Sequence, residues 1–109
     1  MKVVFLPKIQ IYFKELAIIL YEKGYFIFED TAHRYVDELF NDIEMNLHLR
    51  FHSPAPSFFD KYGKDMEYAV FKKSKHTHWY IFFRVYKKGE EEIYQVRYIA
   101  NNHVIAQYL

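Results

Sequence analysis

Apolar residues recur at helical spacing in the first half of the chain and at alternate positions in the last third. Between Lys8 and Lys23 the residues Ile9, Tyr12, Phe13, Leu16, Ile19 and Leu20 line one side of a 3.6-residue repeat. Pro7 stands where a first helical residue belongs, because its fixed φ suits that position and its missing N–H costs nothing there. Gly24 supplies the left-handed residue that ends such a helix. The preceding run, Lys2 to Leu6, predicts a short strand. A second helix is predicted from Asp30 to about Leu47, with Asp30 or Thr31 as its N-cap. Ala32, Tyr35, Val36, Leu39, Phe40, Ile43 and Leu47 form its apolar stripe, and the two helices make an antiparallel hairpin.

Three consecutive strands follow, over MEYAVFKK, HWYIFFRVYKK and EEIYQVRYIA, from Met66 to Ala100. On the second of these Trp79, Ile81, Phe83 and Val85 point one way, and Tyr80, Phe82, Arg84 and Tyr86 the other. On the third, Tyr94, Val96, Tyr98 and Ala100 oppose Ile93, Gln95, Arg97 and Ile99. The predicted architecture is α+β: an N-terminal strand, a helical hairpin on one side of a mainly antiparallel sheet, and a short C-terminal tail. The face carrying Arg84 and Arg97 is the more open one. Leu49 to Lys64 is the only loop-like stretch, since each proline in Ser53-Pro54-Ala55-Pro56 disfavours helix in the residue before it. Phe51, Phe58, Phe59 and Tyr62 make it too apolar for a flexible linker, so it predicts an ordered connection packed on the sheet and no domain boundary.

At 109 residues the chain is expected to be one domain, 1–109, with a single core. Eleven Tyr and eleven Phe against three Gly and three Pro describe a compact composition and exclude a disordered or repetitive one. The absence of cysteine excludes a disulfide framework and thiolate metal sites. The apolar runs near Val3 and Leu16 are too short for a signal peptide or a membrane span, so a cytoplasmic protein with no membrane partner is expected. The net charge of +1 conceals an asymmetry: Lys8 to Arg50 carries −3, and Lys61 to Lys88 carries +6. A basic back half points to an anionic partner.

The chain holds no Gly-rich phosphate loop, no nucleophile elbow and no paired metal-ligand helix. Lys72, Lys73, Lys75, His76, His78, Arg84, Arg97 and His103 instead lie scattered among Tyr and Phe. Such interleaving suits single-stranded RNA, where cations hold phosphates and rings stack on bases. A histidine among cations can act as general acid or base in phosphodiester cleavage, with a neighbouring cation stabilising the transition-state charge. His76 and His78 are spaced for a metal, but no further ligand accompanies them, so neither metal nor cofactor is expected. His33, His48 and His52 are assigned no role.

The element order, the run Trp79-Tyr80-Ile81-Phe82-Phe83-Arg84-Val85-Tyr86, and the strand ending Val96-Arg97-Tyr98-Ile99-Ala100-Asn101-Asn102-His103 together resemble the RelE/ParE superfamily of type II toxin–antitoxin toxins. As architecture the resemblance spans nearly the whole chain; as residues it is specific over Tyr68 to His103. It implies a toxin neutralised by a cognate antitoxin. Ribosome-dependent mRNA cleavers of this kind carry lysines on the first hairpin strand, an arginine early in the next, and Arg or His with Tyr near the end. Lys72 or Lys73 fills the first role, His103 the third and Tyr108 the last, while Tyr80 stands at the early arginine position. The resemblance then implies a metal-independent endoribonuclease whose nucleophile is the substrate's own 2′-hydroxyl. His103 is its general acid or base, Lys72 and Arg84 hold phosphate, and Arg97 supplies transition-state charge. Lys73, Lys75, His78, Tyr80 and Tyr108 complete the RNA-binding set. The ParE branch, which poisons DNA gyrase, needs no nuclease residues and accommodates Tyr80, and a non-catalytic interaction module on the same fold is the third reading.

Overall fold

In the computed structural model, residues 1–105 and 109 are described, the side chains of Val104 and Ile105 aside. Strand β1 (Lys2–Phe5) leads into helix α1 (Pro7–Glu22), and helix α2 (Glu29–Asn46) returns beside it. A 3-10 turn (Leu47–Leu49), the two-residue strand β2 (Ser53–Pro54) and a longer 3-10 segment (Ser57–Tyr62) follow. Strands β3 (Glu67–Lys72), β4 (His78–Lys88) and β5 (Glu91–Asn101) then run as a meander into a one-turn helix α3 (Asn102–Ile105). The sheet order is β1-β5-β4-β3-β2. All neighbours are antiparallel except β1, which lies parallel to β5. No helix among the described residues is long and apolar enough to cross a membrane.

Local chemistry explains the helix boundaries. Pro7 occupies the first turn of α1 as expected. At its end Gly24 takes φ +81°, its N–H bonds the Tyr21 carbonyl, and the Tyr25 N–H bonds the Leu20 carbonyl. This pair of bonds is the Schellman closure that glycine makes without steric cost. Helix α2 begins earlier than its sequence suggests: the cap is Phe28, in extended geometry and with no side-chain bond, not Asp30 or Thr31. Glu29 and Asp30 fall in the first turn, where their charge meets the positive end of the helix.

The helices cover one sheet face. Ile9, Phe13, Leu16, Val36, Leu39 and Ile43 bury against Phe71, Trp79, Ile81, Phe83, Val96 and Ile99. The other face holds a second, smaller core in which Phe59 and Met66 cover Phe82 and Ala100, with Tyr62, Tyr68, Tyr80 and Tyr98 packed around them. The proline-rich connection is therefore a clasp across the back of the sheet, fastened by the Ala55 N–H to the Met66 carbonyl at 2.9 Å. It leaves that face less open than the alternation predicts.

One irregularity rearranges the last strand. Phe82 pairs with Tyr98 but Phe83 pairs with Val96, so Arg97 is the extra residue of a β-bulge. The strict alternation expected for β5 breaks there. Tyr94, Val96 and Ile99 serve the helix-side core, while Tyr98 and Ala100 turn to the clasp side. No glycine marks the bulge, which leaves period-two reasoning without a warning.

Candidate functional site

The charged residues gather at the end of the sheet where β3 turns into β4 and β5 runs into α3. The turn is closed by the Lys73 and Ser74 N–H groups on the Thr77 carbonyl and by the Thr77 N–H on Ser74 Oγ at 3.1 Å. Asn102 fastens it to the end of β5: its Oδ1 accepts the His78 N–H at 2.9 Å, and its amide donates to the His76 carbonyl at 3.2 Å. Asn101 Oδ1 accepts the His103 N–H at 2.9 Å, fixing the backbone from which the imidazole projects. Two asparagines thus join the basic turn to His103.

Beside this junction lies a cavity of about 500 Å³ between the C-terminal half of α1, the start of α2 and the sheet end. Tyr12, Tyr25, Phe26, Tyr35 and Trp79 supply aromatic surface, and Leu16, Ile19 and Leu20 the aliphatic part. Ser74, Thr77, Asn101, His103 and Lys23 give it a polar side, and no carboxylate lines it among the described residues. The buried Trp79 donates its indole N–H to the Tyr35 hydroxyl at 2.8 Å, and Lys73 Nζ lies 5.6 Å from the centre of the Tyr35 ring. Burial pushes the Tyr12 hydroxyl up to about 12. It also raises Tyr35, an effect partly offset by the Trp79 bond. Both phenols are therefore neutral at physiological pH and able to donate.

The structure brings together some of the expected residues and separates others. Lys73, Lys75, His78 and His103 share the sheet end. Lys72 is the cross-strand partner of His78 at that same end, and both lie on the clasp side, as does Tyr80, which is half-buried opposite Val70 and Ala100. Tyr80 is part of the second core, with Tyr68 at 5.9 Å, and not a free stacking platform. Arg84 is exposed and pairs with Gln95, five positions along β4 from the Trp79–Asn101 pair. At roughly 3.3 Å per residue this places it about 16 Å from the end where His103 begins, on the opposite face. Arg97 is half-buried beneath the clasp: at Gly63, whose φ of +145° already disfavours an L side chain, a Cβ would stand 3.0 Å from its Cδ. Neither arginine has a carboxylate partner among the described residues. Arg84 and Arg97 share the face away from the helices, as expected, but His103 lines the helix-side cavity and not the edge of that face. Tyr108 lies outside the described residues. No cluster of three or more His, Asp or Glu suited to a metal occurs among the described residues.

Sequence reasoning passed over Lys23, Tyr35, Asn101 and Asn102. The Asn-Asn step after an apolar strand is a usable signal for local side-chain capping. Lys23 and Tyr35 carry none, since only the packing of the helical hairpin brings them to the sheet end. Comparisons of this chain with protein-family models, with curated proteins and with solved structures return no match.

Proposed function

We propose that the chain is the toxin component of a type II toxin–antitoxin pair of the RelE/ParE kind, acting in the cytoplasm as a ribosome-dependent, metal-independent mRNA endonuclease. The observation that carries this reading is the junction of His103 with the basic β3–β4 turn through Asn101 and Asn102. A histidine held beside lysines is the minimum equipment for cleaving RNA through its own 2′-hydroxyl. His103 takes the 2′ proton as the 2′ oxygen bonds to phosphorus, and the P–O5′ bond breaks. The products are a 2′,3′-cyclic phosphate and, once the leaving oxygen gains a proton, a 5′-hydroxyl. Lys73, in the turn that Asn102 fastens to the end of β5, supplies the charge that the sequence assigns to Arg97. Lys72 and Lys75 track the neighbouring phosphates, and Arg84 falls outside the reaction.

The test is induction in bacteria with ribosome-associated mRNA mapped at the same time. Growth arrest with cleaved mRNA is expected, abolished by His103→Ala or Lys73→Ala and retained by Arg84→Gln. The distance of Arg84 from His103, together with the packed position of Tyr80, favours a second reading without cleavage. Arrest with intact mRNA and gyrase-trapped DNA breaks would establish the ParE-like activity. No arrest from the folded protein would leave an interaction module. A co-transcribed antitoxin that restores growth is expected under either toxin reading.

A further inference from the structure

We infer that the cavity at the sheet end is a nucleotide pocket, taking one nucleobase between its aromatic walls with the attached phosphate at a mouth formed by Lys23, Lys73 and His103. The proposal rests on the reading of RNA as substrate and adds a subsite on the helix side of the sheet. The size of the cavity, about 500 Å³, lies in the ordinary range of small-molecule sites. Its aromatic surface offers π faces of the kind on which any base stacks, and the opposite side is polar.

Two donors are available to read a base edge. Tyr35 accepts the Trp79 indole N–H and so keeps its own hydroxyl proton for a ligand. Asn101 uses its Oδ1 for the His103 N–H and keeps its amide hydrogens. A purely apolar ligand would leave the free Tyr35 hydroxyl proton and the Asn101 amide hydrogens without an acceptor inside the recess. A cationic ligand would meet Lys23 and Lys73 with no carboxylate among the described lining residues to offset them. A planar ring bearing a phosphate satisfies every side of the recess.

The chain contains one tryptophan, and it stands in the wall of this cavity. Trp79 fluorescence therefore reports occupancy directly. The intact protein is titrated with the four ribonucleoside 5′-monophosphates, inorganic phosphate and a short single-stranded oligoribonucleotide, with calorimetry in parallel. A saturable fluorescence change with a nucleotide or the oligonucleotide is expected, at least tenfold weaker in Lys23→Glu, a substitution at an exposed position whose fold is checked by circular dichroism. A response to the mononucleotides shows a free-nucleotide site, and a response to the oligonucleotide alone shows an RNA subsite; both uphold the pocket. No response to any nucleotide overturns it, as does an equal response to inorganic phosphate alone or one unchanged in Lys23→Glu. Cleaved mRNA without nucleotide binding removes the pocket and leaves the endonuclease. Nucleotide binding without cleavage removes the endonuclease and leaves the pocket.

Discussion

Replacing Phe59 by Ala tests whether the clasp belongs to the cooperative structure or merely rests on it. Phe59 is fully buried, with its ring 4.4 Å from that of Phe82, 6.2 Å from Tyr98 and 5.0 Å from Phe58. Truncating a buried phenylalanine costs about 3–5 kcal/mol in transfer and cavity terms. The second core is small, so part of the cavity can collapse, and the lower end of that range, about 3 kcal/mol, is expected. That is a large share of a typical total of about 5–15 kcal/mol. It lowers the melting temperature by about 12 °C or more in a domain of this size. Phe82 and Trp79 lie on the same strand and face opposite cores, so loss of one core is transmitted to the other. Urea unfolding followed by Trp79 fluorescence should therefore show the full loss in one transition. Phe58→Ala, at a residue 40 % exposed whose ring meets Phe59 and Lys61 at the surface, is the control and should cost less than Phe59→Ala. A Phe59→Ala midpoint equal to that of Phe58→Ala would refute the reasoning. It would show that the clasp opens on its own and adds nothing to the stability of the sheet.

Phe28→Ser should stabilise the protein by about 1 kcal/mol in the same assay, because α2 starts without a side-chain cap at a residue already in extended geometry and 68 % exposed. Stability should also fall at high pH. Burial raises Tyr12 and Tyr98 to about 12 in the folded state, with the Tyr62 hydrogen bond adding to the rise at Tyr98. A raised phenol favours folding fully below its unfolded pKa of about 10, and that contribution is lost as pH climbs through about 12. Unfolding curves at stepped pH should show a decline confined to the window above about 10, smaller in Tyr12→Phe.

The helices and the three long strands were legible because their signals are local and redundant. Pro7 and Gly24 bound α1 within a residue of its observed ends, and the alternation of β4 predicts its two faces without exception. The bulge at Arg97 was not legible, because an inserted residue without glycine leaves no trace in a period-two pattern. It turned Tyr98 and Ala100 toward the clasp and Ile99 toward the helices, reversing the β5 assignment beyond the bulge. The clasp itself was foreseen as packed but not as a second core, since which face it covers depends on β2 pairing with β3. At the candidate site the basic turn and His103 were visible as residue types. Their connection through Asn102, and the aromatic cavity beside them, arise from groups far apart along the chain.

The parallel seating of β1 against β5 has a kinetic corollary. The meander β3-β4-β5 closes through short turns, so its pairs form at little loop-closure cost. Lys2 must wait for Ile93, and Phe5 for Val96. The bond from the Leu6 N–H to the Val96 carbonyl extends that pairing with β5 up to the start of α1. Closing β1 onto β5 therefore adds a long-range step to the packing of the helices on the sheet, and such non-local pairings slow folding. During synthesis the first forty-odd residues expose the apolar faces of two helices until the last strand emerges.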